Sequence, residues 1–307
     1  MGYLLNIIII ISWAVSTVAW ATAKNISYTD KLDFQVRFDQ RSNRNERFQY
    51  RLRYYPSLQL DASVSLNSMI VTGEHFNASH NSLDGSSNYI YARRLFVRKQ
   101  YEHGKTEIGA IPTYKGRISS SGLSKDGWVT GARHVYISQA GNALELVVGR
   151  LESLDPAHAL DWPENLNYFE LEYSANIDRS RSMELSIERM LSGNFIRTEY
   201  RQTLSRQTEL ALEFIQRLDS NQSKFVTGLT GTLRYPDNPL EYGIYYAYSS
   251  QDFGPRAELT EDFIGNGHSL SLELEGKLSR FQATGWFVRI DLVENTQRLL
   301  TGIVIKL

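Results

Sequence analysis

Apolar and polar residues alternate along nearly the whole of this chain. In Arg47-Phe48-Gln49-Tyr50-Arg51-Leu52-Arg53-Tyr54, one set of alternate positions is Phe, Tyr, Leu, Tyr and the other is Arg, Gln, Arg, Arg. Successive side chains of a strand point to opposite faces, so this segment has one apolar and one cationic surface. Later stretches repeat the pattern with the other sign of charge. Phe169, Leu171 and Tyr173 alternate with Glu170 and Glu172, and Met183, Leu185 and Ile187 alternate with Glu184, Ser186 and Glu188. Leu270, Leu272 and Leu274 alternate with Ser271, Glu273 and Glu275. A helical spacing of three to four fits none of these as well.

The alternation predicts sixteen strands, at 30–38, 47–55, 58–72, 89–101, 105–111, 128–138, 143–151, 167–175, 181–191, 194–204, 207–218, 224–235, 240–250, 268–278, 280–292 and 298–307. Spans of about ten residues match a tilted strand crossing a bilayer. The connections sort by parity. Those after even-numbered strands are short, as in Pro56-Ser57, Glu102-His103-Gly104 and Ser205-Arg206, whereas the long ones, 73–88, 112–127, 152–166 and 251–267, all follow odd-numbered strands. Tight turns on one rim and long loops on the other describe an antiparallel transmembrane barrel, which a soluble sandwich has no reason to imitate. The fold class is therefore all-β, a transmembrane antiparallel β-barrel of sixteen strands, with fourteen as the alternative. Aromatics at strand ends agree: Trp128 and Tyr136 would bracket the lipid face of one strand, and Tyr89, Tyr91 and Tyr101 that of another. In 89–101 either phase turns two cations outward, and the preferred one puts Arg94 and Arg98 inside, with Arg93 and Lys99 reaching toward the interfaces.

Before the first strand, residues 4–20 form an apolar run closed by Ala21-Thr22-Ala23, the small-x-small pattern of a cleaved leader. This divides the chain into a signal peptide, 1–23, and a barrel, 24–307. Composition then narrows the chemistry. There is no cysteine, which excludes disulfides, thiolate metal sites and a cysteine nucleophile. Thirty-three Lys and Arg against thirty-four Asp and Glu leave no net field to attract nucleic acid. Neither a Gly-x-Ser-x-Gly elbow nor a His-Glu-x-x-His pair is present. His75 and His80 share a loop with Glu74 and Asp84, and both read as solvent-exposed side chains. No catalytic residue, metal or cofactor is assigned.

Charge is distributed unevenly. Arg37, Arg47, Arg51, Arg53, Arg94, Arg98 and Arg133 lie on early strands, and Glu170, Glu172, Glu184, Glu188, Glu213, Glu273 and Glu275 on later ones. In a closed barrel these groups occupy different arcs of the wall, giving a field across the lumen.

The leader, the sixteen strands, the long segment after the fifth and a closing strand that ends at Leu307 together resemble general bacterial porins. The resemblance is architectural and covers the mature chain. It implies a passive outer-membrane channel for small hydrophilic solutes, with the 112–127 loop folded into the lumen opposite wall arginines. Here that loop carries Lys115, Arg117 and Lys125 against Asp126. The expected pore-lining and selectivity residues are Arg51, Arg53, Arg94, Arg98, Lys115, Arg117, Arg133, Glu170, Glu172, Glu184 and Glu188, with a weak anion preference. The implied partners are outer-membrane lipid and lipopolysaccharide, the barrel-assembly machinery through 298–307, and further copies of the chain in a homotrimer. An outer-membrane barrel enzyme acting on lipid or peptide, and a secreted soluble all-β binding protein, remain as alternatives.

Overall fold

In a computed structural model of the chain, the residues described are 26–113, 125–151, 154–233, 239–254, 267–278 and 283–307. The expected leader, Lys115 and Arg117, and most of the 112–127 loop lie outside them. Sixteen long strands form the wall. They are β1 Leu32–Arg41, β2 Arg44–Tyr54, β3 Val64–Thr72, β4 Ile90–Tyr101, β5 Gly104–Pro112, β6 Trp128–Ile137, β7 Ala143–Arg150 and β8 Tyr168–Asn176. The second half comprises β9 Arg181–Met190, β10 Gly193–Ser205, β11 Thr208–Arg217, β12 Ser223–Leu233, β13 Leu240–Ser249, β14 Gly267–Lys277, β15 Thr284–Val293 and β16 Thr296–Lys306.

Each strand pairs antiparallel with the next, and β16 returns to pair with β1 from Arg298↔Arg41 to Lys306↔Asp33. The protein is thus a closed sixteen-strand barrel. Closure pairs the backbone groups around the ring and removes sheet edges. Among the described residues no helix is long and apolar enough to cross a membrane, and the one helical turn is Pro156–His158.

The outer face carries the apolar set of each alternation. Ile108, Leu171, Leu185, Leu272, Ile290 and Ile303 are all exposed there. Such a continuous exposed apolar surface is what a lipid-facing wall needs. Tight turns hold one rim. At Glu102-His103-Gly104 the glycine has φ +143°, and a Cβ there would lie 1.8 Å from the Val135 carbonyl oxygen, so only glycine permits the close approach of β5 to β6.

Three details differ from the sequence reading. The 58–72 segment is broken into Ser57–Gln59 and β3, because Asp61 caps a turn by accepting from the backbone N–H of Ser63 and Val64. The β3–β4 register slips at Met69/Ile70, so Met69 opposes Arg94 and Ile70 opposes Ala92. The extra residue is Arg93, and a bulge of this kind turns two consecutive side chains to one side. Arg93 therefore points inward and is fully buried, and Tyr91, opposite the buried Val71, falls on the same side. Trp128 is likewise not an interfacial aromatic. It is buried at the end of β6, 4.8 Å from the Phe76 ring and 6.0 Å from the Arg93 guanidinium carbon.

Candidate functional site: the barrel interior

Register fixes which side chains share the interior. Gln35 opposes Arg51, Asp33 opposes Arg53, Arg98 opposes Glu107, and Glu107 opposes Arg133. The series continues through Glu145↔Glu172, Glu170↔Glu188, Glu184↔Glu199 and Glu199↔Glu213. The expected residues Arg51, Arg53, Arg94, Arg98, Arg133, Glu170, Glu172, Glu184 and Glu188 all stand on this inner face.

On β1 to β6 and β16 the arginines gather around a few carboxylates. Asp39 accepts from Arg298 Nε and Nη2 at 3.0 Å each, and from Arg44 Nη2 at 2.6 Å. Arg53 Nη2 donates to Asp126 Oδ2 at 2.7 Å. Burial alone would raise the Asp126 carboxyl, but Arg53 and Arg51 outweigh it and hold the group far below the usual carboxylate range. Arg94 donates through Nε to the Gly127 carbonyl at 2.7 Å and through Nη2 to that of Lys125. Glu107 receives Arg98 Nε at 2.7 Å, Lys105 Nζ at 3.0 Å and Arg133 Nη1 at 2.9 Å. Arg133 Nε also lies 2.8 Å from Glu145 Oε1.

The acidic arc is not uniformly acidic. Arg197, at the centre of β10, is 1% exposed and surrounded by four carboxylates: Glu172 at 3.3 Å, Glu184 at 3.1 Å, and Glu199 and Glu213 in direct contact. Arg201 pairs with Glu184 and Glu199. The predicted arcs are therefore modified: Glu172, Glu184, Glu199 and Glu213 are knit together by two arginines that the alternation alone does not single out, while Glu170 accepts from Tyr168 and Glu188 from Ser186. Their signal was available, since Phe195, Arg197, Glu199 and Arg201 occupy one phase and Ile196, Thr198 and Tyr200 the other.

Toward the long-loop rim the inner face of β5 to β11 becomes apolar. Ile111, Val129, Val147, Met190, Phe195 and Ile215 form one buried cluster, which Phe76, Leu151, Ala159 and Phe253 from the long loops complete. On this side the interior is thus layered, charged at mid-height and apolar near the mouth, whereas Asp39, Arg44 and Arg298 keep the same rim charged on β1, β2 and β16. The two loop histidines part company. His75 is exposed beside Glu74, while His80 is half-buried with Nε2 2.7 Å from Gln35 Oε1. Burial first, then Arg37, Arg51, Arg53 and Arg298, push the His80 imidazole well below its ordinary value.

A five-site mutant of the porin of Rhodopseudomonas blastica aligns with a TM-score of 0.64 at 7% identity, over 92% of this chain and 100% of that one. A triple mutant of the same porin aligns at 0.62 and 7%, with the same coverage. OmpT, an outer-membrane protein of Vibrio cholerae in its trimer form, aligns at 0.59 and 9%, again over 92% and 100%. The barrel has the porin fold. No family model and no curated sequence matches the chain, so the resemblance lies in architecture and not in residues. Within the porin fold, the inward charged face follows from the period-two pattern.

Proposed function

We propose that the protein is a passive channel of the bacterial outer membrane, passing small hydrophilic solutes with a weak preference for anions. The observation that carries the reading is a closed barrel with an apolar outside and a charged layer inside. A charged wall stabilises one sign of ion and orients polar solutes. On this reading 1–23 is the export signal, β16 is the strand presented to the assembly machinery, and the outer face meets lipid and lipopolysaccharide. Assembly as a homotrimer is part of the proposal, supported by the trimer form of the OmpT neighbour.

The anion preference rests on the arc formed by β1 to β6 with β16. There Arg37, Arg51, Arg53, Arg94, Arg98, Arg133 and Arg298 outnumber Asp33, Asp39, Glu107 and Asp126. At physiological salt a charge acts over about 8 Å, so a local excess matters even in a chain of net charge near zero. The glutamates across the lumen keep the preference weak.

The test is the reversal potential in a salt gradient, for the wild type and for Arg37→Gln, Arg51→Gln and Arg98→Gln combined. This triple is chosen because each affected carboxylate keeps another cation: Asp39 keeps Arg298 and Arg44, Asp33 keeps Arg53, and Glu107 keeps Arg133 and Lys105. The wild type is expected to favour anions slightly and the triple variant to favour cations. A wild type that prefers cations, with no shift in the variant, would refute the assignment.

A further inference from the structure

Among the described residues, the barrel wall is interrupted beside β2. β2 and β3 pair only at Arg53↔Val71 and Tyr54↔Ile70, so β3 ends where β2 ends and leaves a gap between β2 and β4 toward the long-loop rim. Residues 73–89 fill it, and Asn81–Ser82 pairs with Gln49–Tyr50 of β2. From this inset the chain turns inward. Phe76 packs on Trp128 of β6 at 4.8 Å, while His80 reaches Gln35 on β1 at 2.7 Å. The two side chains are four residues apart and touch strands on either side of β2 to β5. The segment between them therefore crosses the inner face of the arginine arc.

It is held there by specific bonds. Arg93 Nη2 donates to the carbonyls of Thr72 at 3.0 Å, Gly73 at 2.8 Å and Ala78 at 3.2 Å. Thr72 Oγ1 donates to the Ser79 carbonyl at 2.6 Å. None of these bonds involves a group that titrates near neutral pH, whereas the imidazole of a released His80 does.

We propose that residues 74–80, anchored at one end by His80 beside β1, restrict the lumen, and that protonation of His80 releases them. The proposal rests on the channel reading above. His80 faces Arg37 from β1, Arg51 and Arg53 from β2, and Arg298 from β16. The nearby carboxylates, Asp33 and Asp39 on β1 and Asp126 just before β6, are already engaged by the same arginines. A fifth positive charge at this point meets no unshared counter-charge among the described residues, and the half-buried imidazole, flanked by arginines, resists it. The inserted form therefore binds a proton more weakly than the released form. Insertion is fully retained above about pH 6.5, the value of a free imidazole, and is lost as pH falls below it. The ratio of released to inserted segment rises up to tenfold per pH unit in that window.

The experiment compares wild type with His80→Gln, which keeps a donor for Gln35 and cannot titrate. Conductance in planar bilayers is read from pH 7.5 to 4.5, and hydrogen exchange of amides 74–80 over the same range. Wild-type conductance is expected to rise severalfold on acidification, and exchange of 74–80 to speed up relative to the variant, whose conductance stays flat. Wild-type conductance that stays level or falls, or a variant that tracks the wild type, overturns the proposal. If neither protein conducts at any pH, the channel reading fails; exchange that is no faster in wild type than in the variant at low pH then rejects the release separately.

Discussion

Arg197→Met should destabilise the barrel by about 3–5 kcal/mol, the typical cost of removing one partner from a buried ionic cluster. The variant fills nearly the same space, so the loss is electrostatic. Glu172, Glu184, Glu199 and Glu213 would then face one another with Arg201 as the cation that contacts Glu184 and Glu199. Unfolding in urea from detergent micelles measures the cost. Adding Glu213→Gln and Glu199→Gln should recover most of it, because the repelling charges go with their partner. The deficit should also shrink at pH 4 relative to pH 8, since protonation neutralises carboxylates that have lost their counter-ion. A single variant within 1 kcal/mol of wild type, on the scale of an exposed pair, would show that this part of the lumen is bathed in water and not a dry ionic knot.

Deleting Ile305–Leu307 should abolish closure. These residues supply the last pairings of the β16–β1 seam, Ile305↔Phe34 and Lys306↔Asp33. Leu307 also exchanges two backbone hydrogen bonds with Leu32, at 2.9 and 2.8 Å. Their loss leaves unpaired N–H and C=O groups on β1 and on β15, whose Thr284 opposes Ile305. In hydrocarbon each unpaired group costs several kcal/mol, and an open seam also invites pairing with other chains. The folded barrel migrates differently from the heated chain on a gel, and the truncated protein is expected to show no such heat-modifiable band. Persistence of that band would mean that the seam closes without its last residues.

Most of the wall could be read from the sequence, because a two-sided strand writes its inside and outside into alternate residues. Leu171 and Glu172, or Leu272 and Glu273, can be assigned to faces without any structure. The parity of the loops supplied the closure argument. What could not be read depends on contacts between distant segments. Arg93 was placed outward because nothing local signals the bulge at Met69/Ile70, which the pairing of two strands creates. Trp128 looked like an interfacial aromatic until Phe76, from a different loop, covered it. His80 is the sharpest case. Its neighbours in sequence are Ser79 and Asn81, ordinary loop residues, and only the gap beside β3 brings it to Gln35. The acidic arc was seen, but its arginines were not, although Arg197 and Arg201 share a phase with Glu199.

The central claim is that this barrel conducts. Purified full-length mature protein, refolded and added to a planar bilayer in symmetric salt, tests it most directly. The account predicts discrete conductance steps, with a reversal potential in a gradient displaced slightly toward that of the anion. Protein that inserts, shows the heat-modifiable band of a folded barrel and yet passes no current from pH 7.5 to 4.5 would contradict it.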